Sequence, residues 1–226
     1  MRCWPLPIIP AALGVLLLCS AVPSPAAEDT VVALLRDSVV PNVALHFPKW
    51  ERARSWLTGP AGADDPALAG WVAWTHQLAQ QPVRDRLVAI QRRVDGSFRY
   101  RSDQDLFGVR DYWETPDQVV RLGAADCDGF AIFKFWAARL AGVPDDALAL
   151  LIGFRSDRRA MHAVLLVADG GHDDVLDLLE PAVIDQPAYF AAFRPVALFT
   201  LDDVHYFRSG RRPERTPAVT ATGDPQ

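Results

Sequence analysis

One thiol, one imidazole and one carboxylate stand in this sequence where they could act together. Cys127 lies in Gly123-Ala124-Ala125-Asp126-Cys127-Asp128-Gly129, directly ahead of an apolar run from Phe130 to Leu140 that reads as a helix. At a helix N-terminus the first backbone N–H groups lack intrahelical partners and the macrodipole is positive. Both features stabilise a thiolate and lower the thiol pKa. A lone Cys is more often a small buried apolar residue, but a cap position between two Asp residues suits that role poorly, so the nucleophile reading is favoured. A thiol nucleophile needs a base that is itself held in place. His162 opens the apolar stretch His162 to Val167, and Asp177 lies in Val175-Leu176-Asp177-Leu178-Leu179 beyond the turn Asp169-Gly170-Gly171. Antiparallel neighbours would set the two side by side, and a carboxylate buried there without a partner would be costly.

The competing assignments are weaker. His162 could be an ordinary strand-end histidine and Asp177 an exposed residue. His172 is the rival base, but its place beside Asp173 and Asp174 reads as a solvated turn. His46, His76 and His205 have no comparable setting. Asp126 is as well placed to cap the following helix as to bind a metal. Trp113 reads as core, and the backbone N–H of Cys127 is a general candidate for an oxyanion donor.

Three kinds of element must hold these groups. Residues 30 to 81 read as helical, with Val31, Leu34, Leu35 and Val39 on one face and a Gly/Pro/Asp-rich break from Gly59 to Pro66 before a second helix at Leu68 to Leu78. Another helix is expected from Val83 to Val94, then a short extended piece at Phe98 to Tyr100 and a loop from Ser102 to Asp111. Pro116 starts a short helix, as proline suits the first turn. Apolar residues on nearly every side of Phe130 to Leu140 mark a buried central helix, stopped by Gly142 and Pro144. The period then changes to strand: Ala147 to Phe154, a polar turn at Arg155 to Arg159, His162 to Val167, Val175 to Leu179, Val196 to Leu201 and Val204 to Phe207. The fold class is therefore α+β, an α-rich N-terminal half followed by a buried Cys-bearing helix packed on an antiparallel sheet.

Bulk properties set the context. The 226 residues suit one domain with a sizeable core, and a net charge of −5 offers no basic surface for nucleic acid. Residues 1–27 read as a cleavable signal peptide: Arg2, an apolar stretch from Ile8 to Leu18, and the small residues Ser24-Pro25-Ala26-Ala27. An uncleaved anchor is the alternative. Cys3 and Cys19 would leave with that signal, so the mature chain would carry Cys127 as its single cysteine in an oxidising compartment. Residues 28–207 form the expected domain, and the polar, Pro-rich 208–226 is expected to be a disordered tail.

The blocks Asp111-Tyr112-Trp113-Glu114-Thr115-Pro116, Asp126-Cys127-Asp128-Gly129-Phe130-Ala131-Ile132 with Lys134, His162-Ala163-Val164-Leu165 and Val175-Leu176-Asp177 resemble the bacterial transglutaminase-like cysteine peptidases, the family of the LapG-type periplasmic proteases. The resemblance spans roughly residues 90 to 207. It implies a papain-like core with a Cys127-His162-Asp177 triad and peptide-bond hydrolysis in the periplasm. It also implies a calcium site using Asp126 and Asp128, a secreted surface adhesin as substrate with a role in biofilm control, and an inner-membrane cyclic di-GMP receptor as partner. No organic cofactor is implied. Two positions depart from the pattern: Gly129 stands where a second acid is usual after the Cys, and Leu178 where Asn usually follows the triad Asp. An acyltransferase using the same thioester, an inactive binding module of the same fold, and a purely structural thiol are the alternatives.

Overall fold

The computed structural model describes residues 31, 39–41, 47–59, 65–169 and 172–207. The expected signal peptide, the tail from 208 and His46 lie outside them, as does most of the break after Gly59.

A seven-stranded antiparallel sheet forms one layer. Its strands are β1 (Val39–Pro41), β4 (Leu148–Arg155), β5 (Ala160–Asp169), β6 (His172–Leu176), β7 (Ile184–Asp185), β8 (Phe193–Phe199) and β9 (Val204–Phe207), in the spatial order β1-β9-β8-β4-β5-β6-β7. A separate parallel pair joins β2 (Arg99–Tyr100) to β3 (Ala124–Ala125). The helices are α1 (Pro48–Thr58), α2 (Ala69–Leu78), α3 (Val83–Ser97), α4 (Asp103–Phe107), α5 (Pro116–Leu122), α6 (Cys127–Leu140) and the short α7 (Gln186–Tyr189). None of the described helices is long and apolar enough to cross a membrane.

Helix α6 is the centre of the molecule, with every residue from Asp128 to Ala138 buried. It lies on β5 and is flanked by α2, α3 and α5. Alternation along β5 divides the core: Ala163, Leu165 and Val167 face the α6 side with Leu148, Leu150 and Leu176, whereas Val164, Leu166 and Ala168 face the other side with Tyr189, Phe190 and Phe193. At its C-terminus α6 ends through Gly142 at φ +82, a left-handed conformation that glycine adopts without a Cβ clash.

Four expectations require correction. The stretch after Thr30 is not continuously helical: Val39–Pro41 is a strand paired with β9. The loop after Ser102 contains α4, which Ser102 caps by accepting from the Asp105 N–H. Arg155 is not in a polar turn but is the buried last residue of β4. Asp173 and Asp174 are buried residues of β6, not members of a solvated turn, and β6 ends at Leu176, one residue before Asp177.

Candidate active site

The β2–β3 pair fixes the chain that leads into α6. Arg99 N–H donates to the Gly123 carbonyl at 3.0 Å and Arg101 N–H to the Ala125 carbonyl at 2.9 Å. Gly123, at φ +63, ends α5, and Asp126 then caps α6 by accepting from the Asp128 N–H at 3.1 Å. Cys127 is thus the first helical residue, half-buried, with its thiol free of any disulfide. Helix α6 packs along β5, and the N–H of Ala163, next in the chain to His162, favours the Cys127 thiolate.

His162 is held from behind. Its Nε2 lies 2.6 Å from Oδ1 of Asp177. The β5–β6 register ends at Leu165↔Leu176. Gly153 is paired with His162 on the other side, where a Cβ would come within 2.4 Å of the Phe193 ring. Asp177 itself is 1% exposed and accepts four bonds. His162 and the Leu179 N–H (2.9 Å) use Oδ1, while Arg155 Nη1 (2.7 Å) and the Tyr189 hydroxyl (2.8 Å) use Oδ2. Burial alone would raise its pKa, but the bond and charge of His162, the Leu179 N–H and Tyr189 outweigh that and hold it at about 2. Asp177 is therefore an anion at neutral pH.

A second network supports the same turn. Lys134, fully buried in α6, pairs with Asp95 at 2.7 Å and donates to Gln91 Oε1 at 2.8 Å. Gln91 Nε2 in turn donates to the carbonyls of Asp177 (2.6 Å) and Glu180 (2.9 Å). Arg155 also binds Asp157 and Glu180. The sequence reading missed Arg155, Tyr189 and Gln91; only the burial of a Lys and a Gln among apolar neighbours could have hinted at them.

The thiol departs from expectation. Burial first, then the charges of Asp128 and Asp126, push its pKa well up, against the smaller opposing effect of the Ala163 and Cys127 N–H groups. The helix end does not outweigh burial together with two adjacent carboxylates. Those carboxylates belong to a larger cluster. Asp103, Asp111 and Asp128 form one group whose ligand-type oxygens lie within 4.8 Å of one another, and Asp103, Glu114 and Asp126 form a second. Two unit negative charges at 4.8 Å repel by roughly 3 kcal/mol at an effective dielectric of about 20. Burial, followed by its carboxylate neighbours, raises Glu114 to about 8. Asp103 is raised to about 6, chiefly by burial, with Asp126 and Asp111 adding to it. Asp126 thus serves both as helix cap and as a member of this cluster.

Among the other candidates, Trp113 is core: it packs edge-on against Phe199 at 5.2 Å, and its carbonyl accepts from Arg52 at 2.7 Å. His76 is exposed on α2 and His205 is buried on β9.

A helix that presents a thiol at its N-terminus to an antiparallel sheet carrying a His–Asp pair defines a transglutaminase-like cysteine peptidase fold. Residues 72–189, over half of the chain, match the bacterial transglutaminase-like cysteine proteinase family (BTLCP), and the chain belongs to it. It is a cysteine peptidase of the transglutaminase-like superfamily. Legionella pneumophila LapG shares the fold at a TM-score of 0.55 and 22% identity, over 74% of this chain and 90% of that one. Its calcium-bound form gives 0.57 and 23%, over 75% and 93%. Its EGTA-treated form gives 0.57 and 21%, over 80% and 95%. No curated protein sequence matches the chain.

Proposed function

We propose that the protein is a calcium-dependent endopeptidase that cleaves a secreted protein through an acyl-thioester on Cys127. The observation that carries this reading is the 2.6 Å contact between His162 Nε2 and Asp177 Oδ1. It occupies one ring nitrogen and leaves Nδ1 for the thiol beside Ala163. His162 takes the Cys127 proton as the sulfur attacks the scissile carbonyl, then gives it to the departing amine. Water hydrolyses the thioester, with His162 again as base. Asp177 fixes the tautomer and stabilises the imidazolium.

The acid cluster fits a hard divalent cation. It offers only carboxylate oxygens, and Asp103 Oδ1, Asp128 Oδ1 and both Glu114 oxygens are buried without a hydrogen-bond partner among the described residues. Asp126 and Asp128, with Asp103, would hold calcium. When bound, it would cancel the carboxylate charge that opposes the thiolate. The relative described as calcium-bound LapG supports that choice of metal.

The Ser24-Pro25-Ala26-Ala27 segment supports export to the periplasm, where a surface adhesin is the substrate we favour, its release acting on biofilm attachment. The test is to label new protein N-termini in the cell-surface fraction, comparing wild type with Cys127→Ala. New termini in one large secreted protein, absent with Cys127→Ala, are expected. A labelled amine incorporated without chain cleavage would overturn hydrolysis in favour of acyl transfer.

A further inference from the structure

Gly129 and Glu114 occupy one space. A Cβ built on Gly129 would lie 2.5 Å from Oε2 of Glu114, 3.1 Å from its Cδ and 2.7 Å from the Cβ of Ala125. Glu114 has no exposed surface at all. It reaches this space from the extended segment before α5, whose Thr115 side chain and backbone are tied to Asp117 and Gln118. The carboxylate thus enters the helix through the gap that the glycine leaves.

An ionisable group in that position should have a partner. Neither Oε1 nor Oε2 of Glu114 meets a donor from another described residue, and carboxylate oxygens of Asp103 and Asp126 lie within 4.8 Å. Structural burial of this kind is costly, and an apolar residue would serve packing better. A proton shared with Asp103 pairs only two of these carboxylates, whereas a divalent cation would satisfy three converging ones at once.

We propose that Glu114 is a ligand of the divalent-cation site, standing in for an acid at position 129, and that Gly129 is glycine because the Glu114 carboxylate and the Ala125 Cβ fill its side-chain space. The proposal rests on the calcium reading above and adds to it a residue from outside the helix that bears the thiol. It also explains why an α6 without an acid at 129 keeps the site: the charge is supplied from the α5 side.

The test is calcium binding by titration calorimetry on the full mature chain. Four variants are compared with wild type: Glu114→Gln, Glu114→Ala, Gly129→Asp and the triple variant Glu114→Ala/Ala125→Gly/Gly129→Asp. Glu114→Gln, which keeps the shape, and Glu114→Ala should each weaken binding at least tenfold. Gly129→Asp should weaken it too, because its Cβ collides with Glu114. The triple variant should recover to within about threefold of wild type, since losing both Glu114 and the Ala125 Cβ, 2.7 Å from a Cβ at 129, leaves room for an acid there. Glu114→Gln binding calcium as wild type does, or a triple variant no better than Glu114→Ala and Gly129→Asp alone, would overturn the swap while leaving calcium at Asp103, Asp126 and Asp128 intact. Wild type that binds no calcium at millimolar concentration would overturn both, and alkylation of Cys127 would still report on the triad independently.

Discussion

Nε2 of His162 and Oδ1 of Asp177 are 2.6 Å apart, and neither residue could keep this position alone. His162 is set by the pairing of β5 with β4, while Asp177 lies just past the end of β6 and is held by donors from three other places. Arg155 comes from the end of β4, Tyr189 from α7 and the Leu179 N–H from the turn itself. The fold thus fixes the charge of the carboxylate on which the proposed chemistry depends.

Asp177→Asn tests that dependence. The amide keeps the shape but cannot stabilise the imidazolium and favours the wrong ring tautomer. kcat should fall by about 10²–10⁴-fold with little change in KM. The acid side of stability follows from the same group. Its folded pKa, about 2, lies below the usual carboxylate value of 3.8. The stabilisation is thus present above pH 4 and is lost as pH falls through 2, a change of roughly 2 kcal/mol. Thermal unfolding followed from pH 5 to 2 should show a steeper loss for wild type than for Asp177→Asn. Equal slopes would mean that Asp177 is not held as an anion.

Arg155 should act as a positioning residue. It binds one oxygen of Asp177 while His162 uses the other, and it also binds Glu180 and Asp157. Arg155→Met leaves a buried carboxylate short of its charged partner, a loss of about 3 kcal/mol. Arg155→Lys retains charge without the planar fork and should recover part of the stability. kcat should drop in both variants, with KM unmoved. An unchanged kcat in Arg155→Met would confine Arg155 to a structural role.

The sequence shows the three proposed triad residues more readily than what supports them, for a physical reason. Cys127, His162 and Asp177 sit in local patterns: a helix start, a strand start and a charge among apolar residues. Arg155 sits beside the charged run of Asp157, Arg158 and Arg159, so it reads as turn, and only the β4–β5 register turns it inward. Glu114 reads as the lead-in to a capped helix, because the cluster it joins comes from segments linked only in space. β1 reads as helix because Val39 fits a helical face, while its partner strand β9 lies far along the chain and leaves no local signal. The order of the seven strands is likewise a long-range property. The core face of α6, by contrast, was legible from its apolar residues alone, since a helix that is apolar all round has nowhere else to go.

The acid cluster makes stability depend on pH in the direction opposite to Asp177. Burial and neighbouring carboxylates raise Glu114 to about 8 and Asp103 to about 6. A carboxylate with a raised folded pKa contributes stability that is full below the unfolded value of about 4. That contribution fades as pH rises through the folded value. In chelator, the melting temperature should therefore fall steadily from pH 5 to above 8, and excess calcium should remove most of that slope. Parallel curves with and without calcium would separate the cluster from any cation.

The last prediction concerns the thiol itself. Burial and the charges of Asp128 and Asp126 raise the pKa of Cys127, so in chelator little thiolate exists at pH 7 and alkylation by iodoacetamide should be slow. A divalent cation among those carboxylates offsets their charge and lowers the thiol pKa, because a thiolate is favoured by nearby positive charge. The alkylation rate of Cys127 at pH 7 should rise at least tenfold on adding calcium, and its pH profile should move to lower pH. Asp128→Asn should mimic part of this rise in chelator, since it removes the carboxylate that opposes the thiolate most, and should blunt the response to calcium. A rate indifferent to calcium in wild type, with Asp128→Asn also unchanged, would show that the carboxylates do not govern the thiol and that burial alone sets its reactivity.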